Sequence, residues 1–225
     1  MNKLTMSKIS AVITAGGFAT RLGGGPPKSL RAASGHYLLE HCIAYAAQAG
    51  IRSFIIFNNR PEFDTLIKTI AEPYGEFLII NDLHAPNTFW LAKESISYVG
   101  GEHILFLYGH APRPCVHLTK LCSLGLRSVS ASAVAHSTKN HLTTFRGMYL
   151  EPPYLIQTEL LLQTTVTSWQ SLMTENTSGL DILDVCGPNE VNTPMDVLPY
   201  YNYMRRLSSL HHNALRHSLR ISLSP

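Results

Sequence analysis

Acidic side chains are missing from one long stretch of this chain: from His103 to Leu150 there is no Asp and no Glu. That stretch cannot supply a carboxylate-built cation site, because magnesium and calcium take hard oxygen ligands. Charge is scarce overall, at 15% of the 225 residues against 45% hydrophobic, which excludes a disordered chain and fits a domain with much of its length inside. The net charge is only +3, and the basic residues neither cluster on one helix nor alternate with aromatics. Nucleic acid is therefore not indicated, and an anionic small molecule suffices as partner. The four cysteines, Cys42, Cys115, Cys122 and Cys186, form no CxxC pair and read as reduced core thiols of a cytoplasmic protein. No apolar run reaches the length that crosses a membrane. The run Ile9 to Ala15 behind Lys3 and Lys8 is too short for a signal peptide and is better used as a strand.

What is present begins with that strand. Ile9 to Ala15 breaks into Gly16-Gly17-Phe18-Ala19-Thr20-Arg21-Leu22-Gly23-Gly24-Gly25-Pro26-Pro27-Lys28-Ser29-Leu30. A buried strand ending in a glycine-rich loop with Arg and Lys is chemistry for holding phosphate. Glycines let the backbone approach an anion, and Arg21 and Lys28 add full charges. Two commoner loops are excluded. A Walker A loop needs Gly before its Lys, whereas Pro27 stands before Lys28 and lacks an N–H. A dinucleotide fingerprint needs Gly-x-Gly-x-x-Gly, and no such spacing follows Ala15. His110, Cys115, His117 and Cys122 raise a zinc question, but their spacing matches no structural zinc site.

Apolar runs alternate with helical patterns along the chain. Strands are expected at Ile9 to Ala15, Ser53 to Phe57, Phe77 to Ile80, Ile104 to Tyr108 and Ser128 to Ala135. Helices are expected at Leu38 to Ala49, Glu62 to Ala71, Thr88 to Val99 and Val116 to Leu124, the first stopped by Gly50. This alternation predicts a three-layer α/β sandwich around a mostly parallel central sheet of Rossmann-like type. Later, His141 to Tyr149 reads as a strand or hairpin, Ile156 to Gln163 and Ser168 to Glu175 as helices, and Asp181 to Val185 as a final strand. One domain over 1–206 is expected, with 207–225 a helix or tail.

Taken together, Thr14-Ala15-Gly16-Gly17-Phe18-Ala19-Thr20-Arg21-Leu22-Gly23-Gly24, Pro27-Lys28-Ser29-Leu30 and the later Asn192-Thr193-Pro194-Met195-Asp196 resemble the GT-A-like nucleotidyltransferase superfamily. The nearest branch is the MobA-like one, which includes the molybdenum-cofactor guanylyltransferase and cytidylyltransferase. The resemblance implies a nucleoside triphosphate, GTP or CTP, over the carboxyl ends of the strands, and a phosphorylated, molybdopterin-type acceptor. It implies magnesium or manganese as cofactor and release of pyrophosphate. By position, the backbone of Ala15, Gly16 and Gly17 would hold the nucleotide, and Arg21 and Lys28 would contact its phosphates as the catalytic pair.

Asp82 matches an acidic position near the nucleotide, or is a turn residue leading to the next helix. Asn192 falls where relatives place a metal-binding or acceptor-facing residue, and also suits an N-cap before Pro194. Asp196 reads as dipole-favourable structure. Arg113, Lys139 and Arg146 are candidates for the acceptor phosphate, or are solvated charges. The main departure is in Tyr108-Gly109-His110-Ala111-Pro112, where His110 takes the place of the aspartate that binds magnesium in relatives. Three explanations stand beside an ordinary strand-end histidine. The triphosphate and Asn192 hold the metal, with Asp82 or Asp196 helping; or His110 donates to phosphate directly; or the site binds nucleotide without turnover. A sugar-phosphate or alcohol-phosphate nucleotidyltransferase, or a nucleotide-binding regulatory protein, are the alternative functions.

Overall fold

Six residues with little polarity, Ile9–Thr14, form β1. In the computed structural model, which describes residues 6, 8–17, 24–33, 35–81, 85–127, 133–138, 149–175, 179–184 and 202, β1 pairs in parallel on both sides. A short hairpin of β2 (Ala32–Ala33) and β3 (His36–Tyr37) leads into α1 (Leu38–Gln48), followed by β4 (Ser53–Phe57), α2 (Asp64–Ala71) and β5 (Glu76–Ile80). Next come α3 (Thr88–Ser95), β6 (His103–Tyr108), α4 (Cys115–Arg127) and β7 (Ala133–Thr138). The described chain continues through β8 (Tyr149–Gln157), α5 (Thr158–Gln163), α6 (Trp169–Glu175) and β9 (Leu180–Asp184).

The seven-stranded sheet has the order β5-β4-β1-β6-β8-β7-β9. Only β8 runs against its neighbours; β4, β1, β5 and β6 pair in parallel, as do β7 and β9. Because side chains alternate along a strand, each strand feeds two cores. Ala11, Ile13, Phe54, Ile56, Leu105 and Leu107 face Leu39, Ile43, Ile67 and Leu121 of α1, α2 and α4. Val12, Ile55, Phe57, Ile104 and Phe106 face Phe89, Leu161 and Leu172 of α3, α5 and α6. This is the expected three-layer α/β arrangement. Deleting such a fully buried Leu or Phe side chain costs about 2–5 kcal/mol.

Several elements differ from the sequence expectation: the β2–β3 hairpin has no counterpart in it, and β7 runs on to Thr138, past the expected end at Ala135. The segment Tyr149–Gln157 is a strand, although Pro152 and Pro153 argue against one, and Ile156 lies in it rather than in a helix. The prolines are tolerated because the β7–β8 register shifts at Ala135/His136: Ala135 pairs with Tyr154 and His136 with Glu151, so residues 152 and 153 pair with no β7 residue. The helix Thr88 to Val99 ends at Ser95 and closes with a 3-10 turn, Ile96–Tyr98. Asn87 caps its start, its Oδ1 accepting from the N–H groups of Phe89 (3.0 Å) and Trp90 (3.3 Å). The expected strand or hairpin over 141–148 and the tail 207–225 lie outside the described residues.

Candidate functional site

Parallel strands deliver their carboxyl ends to one side of the sheet, where α/β proteins bind ligands. At the end of β1 the chain turns sharply. The N–H groups of Ala15 and Gly16 both donate to Phe57 O, at 2.8 and 3.3 Å, and the Gly17 N–H donates to Asn59 Oδ1 at 2.7 Å. Gly16 is required by close approach, since a Cβ there would lie 2.1 Å from Asn59 Oδ1 and 2.6 Å from its backbone nitrogen. Gly17 is required by its φ of +126°, and no atom lies within 4 Å of where its Cβ would stand. With these N–H groups bonded to Phe57 and Asn59 and Ala15 fully buried, Gly16 and Gly17 are the partly exposed, side-chain-free backbone at the end of β1.

Lys28 opens a 3-10 turn, Lys28–Leu30, and is half-buried. Its neighbour Ser29 donates through Oγ to the carbonyl of Ala15. The end of β6 meets the same point. The Gly109 N–H donates to Thr14 O at 2.9 Å. A Cβ on Gly109 would lie 2.8 Å from that oxygen and 3.3 Å from Ser29 Cβ, so only glycine lets the β6 end pack on the turn. Lys28 and His110, one residue beyond Ser29 and Gly109 on either side of this contact, are thereby brought to the carboxyl end of β1. His110 stacks on Tyr108, with ring centroids 5.4 Å apart and planes 9° from parallel. Cys42 of α1 donates to Tyr108 O at 3.2 Å, and burial pushes its thiol up to about 12 against the opposing field of the Arg113 guanidinium. Arg113 is itself only 2% exposed.

A polar network that sequence reasoning missed ties the neighbouring strand ends together. Asn58, fully buried, donates through Nδ2 to Asp64 Oδ1 and to Arg60 O, both at 2.7 Å. Asn81, after β5, donates to the other Asp64 oxygen at 2.7 Å. Arg60 donates to Gly25 O at 3.3 Å and to Glu62 Oε1 at 2.5 Å, while Arg31 donates to Gly24 O at 2.8 Å. The loop carrying Lys28 is therefore held by two arginines at Gly24 and Gly25, just before the lysine. The available signal was the position of Asn58-Asn59-Arg60 directly behind an apolar strand, the same place that the glycine loop takes behind β1.

Arg21, Asp82, Asn192 and Asp196 lie outside the described residues. The residues at hand do not fit a protein-held magnesium ion. The β6 end presents an imidazole, both Asp64 oxygens already accept amide N–H groups, and among the described residues no group of three His, Cys, Asp or Glu is placed to hold a metal. Among the described residues no helix is long and apolar enough to cross a membrane.

Solved structures share this fold. A nucleotidyl transferase from Methanothermobacter thermautotroptrophicus is 18% identical with a TM-score of 0.68, over 88% of this chain and 98% of that one. The 4-diphosphocytidyl-2C-methyl-D-erythritol synthase of Anaerococcus prevotii is 18% identical with a TM-score of 0.68, over 91% of this chain and 100% of that one. Rv0371c from Mycobacterium tuberculosis, in a complex with manganese, is 16% identical with a TM-score of 0.61, over 87% and 98%. At these identities the likeness shows the fold. Comparison with the curated proteins finds no match. The model of the MobA-like NTP transferase domain matches residues 11–148, more than half of the sequence, so the chain belongs to that family and is a nucleotidyltransferase.

Proposed function

We propose that this chain transfers the nucleoside monophosphate of GTP or CTP to the phosphate of a small acceptor in the cytoplasm. The reading is carried by one observation: the Lys28 turn and the β6 end converge on β1 through Ser29, Gly109 and the Thr14–Ala15 carbonyls. An acceptor phosphate oxygen attacks the α-phosphorus, a new P–O bond forms as the α–β bridging bond breaks, and pyrophosphate leaves with the electron pair. Of Ala15, Gly16 and Gly17, the two partly exposed glycines are the backbone against which the nucleotide lies, with buried Ala15 behind them. Lys28 and Arg21 neutralise the leaving pyrophosphate, Lys28 as a compact charge and Arg21 as a planar fork. Asp82 and Asn192 are proposed at the nucleotide and at the cation or acceptor. A divalent cation, when bound, would supply further charge neutralisation; the described side chains do not fit one, so Asn192 is its proposed contact.

A molybdopterin-type acceptor is supported by the sequence layout from Phe145 to Tyr149 and the Asn192-Thr193-Pro194 segment. An alcohol-phosphate acceptor is favoured instead by the name of the Anaerococcus neighbour. A regulatory protein that binds nucleotide without turnover is favoured by His110 at the β6 end. Purified protein with each ribonucleoside triphosphate, magnesium or manganese and candidate acceptor phosphates is expected to release pyrophosphate with one triphosphate. A melting temperature that none of the four triphosphates raises would overturn the reading.

A further inference from the structure

Resting on that nucleotide reading, we infer that the β6 end meets the triphosphate as an anion site, with His110 donating to phosphate oxygen, so that binding needs no divalent cation. The donor set makes the case. Magnesium selects carboxylate and carbonyl oxygen over imidazole. Yet the chain has no carboxylate from residue 103 to 150, and Asp64 is spent on structure, accepting one asparagine N–H on each oxygen to join the ends of β4 and β5. Beside Asp64 and the Arg60–Glu62 pair, cationic side chains also stand at this end. Lys28 lies on the turn that Gly109 packs against, Arg60 and Arg31 hold the loop before it, and buried Arg113 follows His110 by three residues.

The geometry also suits a donor. Gly109 is fixed by its bond to Thr14 O and by its contact with Ser29, which places His110 at the carboxyl end of β1. The stacking on Tyr108 fixes the ring plane and engages a ring face, and imidazole nitrogens donate within the plane. A cation-binding carboxylate and an anion-binding imidazole at this position differ in sign, so they predict opposite responses to chelation.

Titration calorimetry with each of the four ribonucleoside triphosphates, in excess magnesium and in EDTA, separates them. For the triphosphate that binds, the parent is expected to hold affinity within about threefold between the two conditions, and His110→Ala to lose about tenfold or more in both, the range of a charge-assisted hydrogen bond. His110→Asp is expected to bind in magnesium and to fail in EDTA. Melting curves of both variants without ligand report folding, and His110→Gln, which keeps a donor, is expected to retain part of the affinity. Parent binding that vanishes in EDTA, or His110→Ala binding like the parent in EDTA, overturns the anion site while leaving the nucleotide reading in place. Absence of binding in both conditions overturns the nucleotide reading and this inference together.

Discussion

The two ends of the central sheet are finished differently. At the amino end, loops close on backbone: Glu76 N–H donates to Arg52 O at 2.9 Å and His103 N–H to Lys8 O at 3.1 Å, and Arg52 caps α1 through Ala47 O at 2.8 Å. This end also holds a cavity of about 940 Å³, lined by Arg52, Glu72, Tyr74 and Glu76 among others. At the carboxyl end, side chains bond loop backbone: Asn59 to Gly17 and Arg60 to Gly25 between loops, Ser29 to Ala15 and Arg31 to Gly24 within one. The difference teaches that volume does not locate this site. The amino-end cavity sets two carboxylates beside one guanidinium, whereas at the carboxyl end Glu62 pairs with Arg60 and Asp64 bonds two asparagines, and Lys28, Arg31 and Arg113 stand there besides.

The largest expected effect tests the close approach at the β1 turn. Gly16→Ala drives a Cβ into Asn59 and is expected to lower unfolding free energy in urea by about 2–3 kcal/mol, with nucleotide affinity falling alongside. Next, Lys28→Ala is expected to weaken triphosphate binding by about tenfold or more while changing stability by less than about 0.5 kcal/mol. Glu72→Gln at the amino-end cavity changes neither. If Glu72→Gln shifts triphosphate affinity and Lys28→Ala does not, the assignment of the two ends is reversed. Asn59→Ala removes the acceptor for Gly17 and is expected to cost about 1 kcal/mol of stability, read from the same urea curves.

The smallest effect concerns pH. Burial holds His41, His103 and His117 below the ordinary imidazole value of 6.5, outweighing the hydrogen bond from His41 to Ala33 O and the field of Glu102 at His103. A depressed pKa means that the fold favours the neutral ring, so this stability is present above about 6.5 and is lost as pH falls through the lower folded values. Melting temperature is expected to decline across that window, at both ends of the sheet. A melting temperature that rises on acidification would contradict the burial of these rings.

Much of this fold is legible without coordinates. Continuous apolar runs between helical patterns give β1, β4 and β6, and the spacing of Leu39, Cys42, Ile43 and Ala46 gives the buried side of α1. The glycine loop with Lys28 points to the proposed ligand end because few other uses of that composition follow a buried strand. What the sequence hides are pairings between distant positions. Asn59 meets Gly17 across 42 residues and Asn81 meets Asp64 across 17. Read locally, each is an ordinary polar residue near a turn. Strand β8 is hidden for a different reason: its two prolines are strand breakers unless a partner strand shifts register around them.

Hydrogen exchange with and without the triphosphate compares the two ends in one experiment. Binding is expected to slow exchange in peptides spanning 14–30 and 108–114, with peptides spanning 72–76 unchanged. Protection confined to 72–76 would place the ligand in the amino-end cavity and contradict the site at the carboxyl end of β1.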